Sequence, residues 1–148
     1  MKPVFTLLLF LAFHVSFAQT SPDQMSQKFF ALYQTGNTDK ALDYLFAQST
    51  NMPMPLGVDM KMQLKRQVEV SGRYFGVENL AVRTAGPNVM MYTYLVKHQV
   101  QPLVFRIMYY RANDIWQMHT FTFHNNLFEE LEESSKAKRL KENRDLGL

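Results

Sequence analysis

The chain has 148 residues, a net charge of +3 and no cysteine. A length of this order suits one domain, large enough to bury a core without disulfide staples. The charge is too mild to imply a nucleic-acid partner.

The first eighteen residues, "MKPVFTLLLFLAFHVSFA", place Lys2 ahead of an apolar run from Val4 to Val15, and Ser16-Phe17-Ala18 supplies small residues where a signal peptidase reads. The pattern is that of a secretory signal peptide cleaved after Ala18, and the run falls short of the roughly 20 apolar residues a membrane span needs. No cysteine follows the cleavage site, so a lipid anchor there is excluded. The expectation is an exported protein, periplasmic or extracellular, with no membrane span in its mature form. Removing Lys2 with the signal lowers the net charge by one, to +2.

Ser21-Pro22-Asp23 opens a helix with a hydroxyl cap and a first-turn proline; Met25, Phe29, Leu32 and Tyr33 recur at helical spacing up to Gly36. Thr38 is placed to cap a second helix whose apolar face is Ala41, Leu42, Leu45 and Phe46. A loop from Ser49 to Val58 follows. Asp59 is then expected to cap a third helix with Met60, Leu64, Val68 and Phe75 on one stripe, ending at Gly76. The segment "NMPMPLGVDMKM" raises the question of Cu(I), because soft thioethers suit that ion and Met52 and Met54 are held extended by their prolines. Met60 and Met62, two apart on a helix, do not face each other. Methionine also fills irregular gaps, and a core plug or pocket lid is the favoured reading, with no cofactor.

Beyond Gly76 the rhythm changes to a period of two. "ENLAVRTA", "VMMYTYLVKH", "LVFRIMYYR" and "IWQMHTFTFH" read as strands of an antiparallel meander, separated by turns. The expected fold class is α+β: three N-terminal helices packed on a curved four-stranded antiparallel meander, with a C-terminal charged helix. Domain boundaries follow: signal peptide 1–18, cone-shaped domain 19–131 and a charged, partly solvated helical tail 132–148. Of the C-terminal charged segment only Leu127, Phe128 and Leu131, just ahead of that tail, look able to dock, by the helix's first turn.

Strand parity sorts the faces. Tyr92, Tyr94, Phe105, Ile107, Tyr109, Trp116, Met118, Thr120 and Thr122 fall on an aromatic face suited to cover by the helices. The opposite face holds Thr93, Arg106 and His119 in one row, together with Phe121 and Phe123. A guanidinium beside an imidazole suits a carboxylate or phosphate, and the same face suits a homodimer. The candidate ligand-binding residues are therefore Arg106, His119 and Thr93 outside, and Tyr92, Tyr94, Tyr109 and Trp116 inside. Catalysis has less to work with. Between Asn79 and Phe128 the only acid is Asp114, in a turn, so no carboxylate base projects from the sheet. His98 is expected at a solvated turn.

"FFALYQTGNTDKALDYLF" and "NDIWQMHTFTF" resemble the opening and the closing strand of nuclear-transport-factor-2-like (cystatin-like) domains. The resemblance spans roughly Asp23 to Leu131. It implies a sheet wrapped round the helices into a cone, often with a pocket at its wide end and a dimer through the outer face. Members include ketosteroid-isomerase-like enzymes, which use a tyrosine and buried carboxylates, and exported domains without known activity. The sheet here has the tyrosines and lacks the carboxylates. The expected function is a non-catalytic exported binding or interaction module with an aromatic cavity for a small apolar or anionic ligand. An isomerase- or lyase-like enzyme is the alternative, and a Cu(I) carrier a minor one.

Overall fold

The computed structural model describes residues 20–50 and 54–145, with backbone only for 54–56 and 142–145. The expected signal peptide at 1–18 and Met52 lie outside the described residues, as does the side chain of Met54. The fold is α+β, in the order α1 (Pro22–Tyr33), α2 (Thr38–Ala47), α3 (Met54–Ser71), β1 (Tyr74–Thr84), β2 (Val89–His98), β3 (Leu103–Arg111), β4 (Trp116–His124) and α4 (Leu127–Asp145). The strands form one antiparallel meander, β1-β2-β3-β4.

Local chemistry accounts for the helix ends. Ser21 and Gln24 form a reciprocal capping box at α1, with Pro22 where no donor is lost. Asn37, rather than Thr38, caps α2, its Oδ1 accepting from the Lys40 amide at 2.9 Å. α3 starts at Met54, so Asp59 lies inside the helix instead of capping it. Pro55 falls in the first turn, where proline is tolerated, and does not hold the chain extended. The same helix stops at Ser71 because Gly72 turns left-handed at φ +78°, well before Gly76. Phe75 consequently belongs to β1 and is exposed.

The three N-terminal helices cover one face of the sheet. Met25, Phe29, Phe30, Tyr33, Leu42, Leu45 and Leu64 share a single core with Tyr92, Tyr94, Val96, Phe105, Ile107, Tyr109, Met118 and Phe121. Phe29 is at its centre, with ring centroids 4.9 Å from Phe30, 5.8 Å from Phe121 and 6.1 Å from Phe105. Truncating such a ring costs about 3–5 kcal/mol.

Register departs from simple alternation at three places, between Tyr74 and Gly76, between Asn79 and Ala81, and opposite Met108/Tyr109. Each adds a residue to one strand, bends it and reverses the parity beyond. On β4 the extra residue is His119: Tyr109 pairs with Met118, but Met108 pairs with Thr120. Phe121 and Phe123 thereby move to the helix-covered side, opposite Ile107 and Phe105, and Thr120 and Thr122 move outward. Two large rings enter the core in exchange for two threonines, which is the direction burial favours.

α4 lies on the outer face. Arg106 of β3 pairs with Glu130 and stands 3.7 Å from Glu129, and His124 Nε2 lies 3.6 Å from Glu130. The docking contacts come from Leu127 and Glu130; Phe128 and Leu131 are mostly exposed.

Candidate functional site

The aromatic side of the sheet is largely filled by its own rings. Tyr109 is fully buried, and its hydroxyl shares a 2.8 Å hydrogen bond with Ser26 of α1. Tyr92 and Tyr94 are stacked at 5.9 Å and nearly closed off from solvent. Trp116 is partly buried at the end of β4, with the Arg111 guanidinium 4.9 Å from its ring centre.

Space opens where α1 meets the β1–β2 edge, in a cleft of about 430 Å³. Its walls are aromatic, from Phe30, Tyr74 and Tyr94, and its polar groups are Asp23, Gln27, Gln34 and Asn79. α1 supplies three of these because Asp23, Gln27 and Phe30 recur at spacings of four and three on one helix side. Gln27 Nε2 donates to Asp23 Oδ2 at 2.6 Å. The volume falls within the range spanned by small-molecule sites.

Burial sets the protonation of the phenols. It raises the pKa of Tyr94 to about 12, partly offset by hydrogen bonds to Ser26 and Asn79. Burial likewise pushes up Tyr33, Tyr109, Tyr74 and Tyr92. At neutral pH these groups are hydroxyl donors, not phenolate bases.

Behind the cleft, His98 is buried and not solvated. Its Nδ1 lies 2.7 Å from the Gly72 carbonyl, which can only accept, so Nδ1 carries the proton. In the neutral ring Tyr33 then donates to Nε2 at 3.0 Å. The contact ties the α3–β1 turn to α1 and β2. The sequence hides it, because the partners are 65 residues apart.

On the outer face, Thr93 and Arg106 are paired neighbours on β2 and β3, but the next residue in the row is Thr122. His119 is exposed at its bulge beside Tyr110, with ring centroids 6.2 Å apart, and does not join Arg106. The Arg106 guanidinium, expected to meet a ligand, is engaged within the chain itself. Its partner is Glu130, from the chain's own C-terminal helix.

Sequence reasoning missed Asp23 and Glu130 because it looked for acids on strands, whereas helices bring both to the sheet. Among the described residues there is no cluster of three or more His, Cys, Asp or Glu able to hold a metal, and no helix long and apolar enough to cross a membrane.

The chain matches no family model and no curated protein. Among solved structures it is similar to a domain described as a calcium/calmodulin-dependent protein kinase type II association domain from Thiobacillus denitrificans. The match covers 71% of this chain and 94% of that one, at a TM-score of 0.46 and 12% identity. A likeness this distant carries no argument about function.

Proposed function

We propose that this protein is a small exported binding module of the nuclear-transport-factor-2-like class, and that its ligand site is the cleft between α1 and the β1–β2 edge. The reading is carried by one observation: Phe30, Tyr74 and Tyr94 wall a single opening that has Asp23, Gln27 and Asn79 among its lining. Aromatic walls favour a flat, mostly apolar ligand. Asp23 disfavours an anion there and favours a ligand with a hydrogen-bond donor. Phenols held neutral by burial suit binding better than proton transfer, which needs a pKa near the working pH.

Saturation-transfer NMR with neutral phenols and indoles tests this. Wild type gives transfer that Tyr74→Ala abolishes; equal transfer to both proteins sinks the proposal. Export is tested separately, since the secreted protein should begin at Gln19.

One observation favours a second reading, an isomerase- or lyase-like enzyme: Asp23 brings a carboxylate to the cleft, whereas Glu78 of β1 is paired with Lys97 and is not in the lining. Asp23 would act as base beside the neutral Tyr94 hydroxyl. Solvent-deuterium exchange into an enolisable ketone, no faster with wild type than with Asp23→Asn, removes that reading. A homodimer through the outer sheet face remains part of the proposal, its contact on the stretch of β3 and β4 that carries the exposed Tyr110 and His119.

A further inference from the structure

A second concave surface lies on the opposite side of the sheet, where α4 crosses β1 and β2. It measures about 410 Å³ and is lined chiefly by Leu80, Leu95, Leu127, Leu131 and Ala137, with Arg83 and Glu130 its charged groups. Three features of sequence and register create it. Leu127, Leu131, Ser134 and Ala137 follow at helical intervals, so one side of α4 faces the groove. Ser134 and Ala137 are too small to fill the space between helix and sheet. The extra residue at Leu80 puts that side chain in the groove and leaves the small Ala81 opposite Thr93.

The two charges are not equivalent. Glu130 is engaged by Arg106 and faced by His124 Nε2 at 3.6 Å. His124 Nδ1 accepts from the Asn126 amide at 3.2 Å, so in the neutral ring Nε2 bears the hydrogen, and among the described residues it has no hydrogen-bond partner. Arg83 makes no ion pair or hydrogen bond among the described residues. The groove therefore offers an apolar trough with one uncompensated guanidinium. From Leu95 to Met91, the residue paired with Arg83, β2 advances roughly 13 Å. From Leu127 to Ala137, α4 rises roughly 15 Å.

We propose that this groove binds a single-chain alkyl carboxylate, its head at Arg83 and its tail along Leu80, Leu95, Leu127 and Leu131. The site is separate from the cleft beside α1 and does not depend on it. Charge selects the head group: a carboxylate accepts two parallel bonds from a guanidinium, whereas an ammonium head is repelled by it. Apolar burial selects the tail.

The test uses the chain from Gln19 onward and isothermal titration with the straight-chain series from octanoate to myristate. Matching alcohols and alkyl trimethylammonium salts serve as controls. The expected result is one carboxylate per chain, with Kd falling roughly fourfold per added methylene until the groove is full. Arg83→Gln should weaken the carboxylates about tenfold and leave the alcohols unchanged. Ser134→Leu, on an exposed helix position where leucine is well tolerated, should abolish binding by occupying the trough. Alcohols binding as well as carboxylates, or carboxylates indifferent to Arg83→Gln, overturn the head-group assignment. A dimer in sedimentation that Ser134→Leu dissolves, with no fatty-acid binding, overturns the proposal in favour of a second copy of the chain. Should Ser134→Leu misfold by circular dichroism, Arg83→Gln alone still decides.

Discussion

Arg106 on β3 and Glu130 on α4, 24 residues apart, form an ion pair that joins the C-terminal helix to the outer face of the sheet. The carboxylate end is the more enclosed of the two, with a side chain 14% exposed against 29% for the arginine. Arg106→Ala leaves that carboxylate with His124 as its one facing cation among the described residues. The expected loss is about 1–3 kcal/mol in urea unfolding, below the cost for a fully buried pair because water still reaches both ends. Amide hydrogens of α4 should exchange faster in the variant while those of β2 and β3 keep their rates. Unchanged α4 exchange would mean the helix is held by its apolar contacts alone.

Ser26 and Tyr109, on α1 and β3, are the corresponding polar tie on the inner face. Tyr109→Phe keeps the ring and removes the hydroxyl, so the buried Ser26 side chain loses this bond and is left with Tyr94. About 1–2 kcal/mol should be lost. Because removing both partners of a buried hydrogen bond costs less than the sum of removing each, Ser26→Ala with Tyr109→Phe should recover about 1 kcal/mol relative to additivity. Strict additivity in the double-mutant cycle would deny the bond any energetic role.

The sequence makes the architecture readable, because the switch from helical stripes to alternating strands is a strong signal. It makes the sidedness of β2 and β3 readable too: Tyr92, Tyr94, Phe105, Ile107 and Tyr109 are buried on the helix-covered face. Sidedness fails past His119, where an extra residue exchanges Thr120 and Thr122 for Phe121 and Phe123. Nothing in "WQMHTFTFH" marks a bulge, since Phe121 and Phe123 share one side in either register; only the unfilled core decides which side that is. The start of α3 is misread for a related reason. Pro55 breaks a helix in its middle but is harmless in its first turn, and which applies depends on where the helix begins. The cleft combines Asp23 with Tyr74 and Tyr94, an encounter of distant segments that local spacing does not encode.

His98 gives a sharper test of the interior. His98→Phe preserves ring volume but removes both of its hydrogen bonds, leaving the Gly72 carbonyl and the Tyr33 hydroxyl without those partners. Two such losses should total about 2–4 kcal/mol in thermal or chemical unfolding. Gly72→Ala perturbs the same turn from the backbone side. Its φ of +78° is unfavourable for alanine, and the added Cβ would meet Val100 Cγ2 at 3.3 Å. A smaller loss, about 1–2 kcal/mol, is expected there. The ordering is the diagnostic: if Gly72→Ala proves the more damaging, the histidine contributes packing and little hydrogen bonding.

Alkaline pH should unfold the protein through its buried phenols. Burial raises Tyr94 to about 12 and pushes Tyr33 and Tyr109 upward as well, from the ordinary 10.0. In the unfolded chain these hydroxyls ionise near pH 10, while in the folded protein they stay protonated. Above that pH the folded state binds more protons than the unfolded state, so stability falls as pH rises. The stabilising contribution is complete below pH 10 and is lost as pH climbs through the raised folded values. Urea midpoints should hold steady up to about pH 10 and then decline steeply, with phenolate absorbance for these tyrosines appearing together with the loss of structure. Tyr94→Phe removes one titrating group and should flatten the decline. If all the phenols ionise near pH 10 with the fold intact, water reaches the inner face of the sheet, and the packing of Tyr33, Tyr94 and Tyr109 beneath the helices is looser than their burial implies.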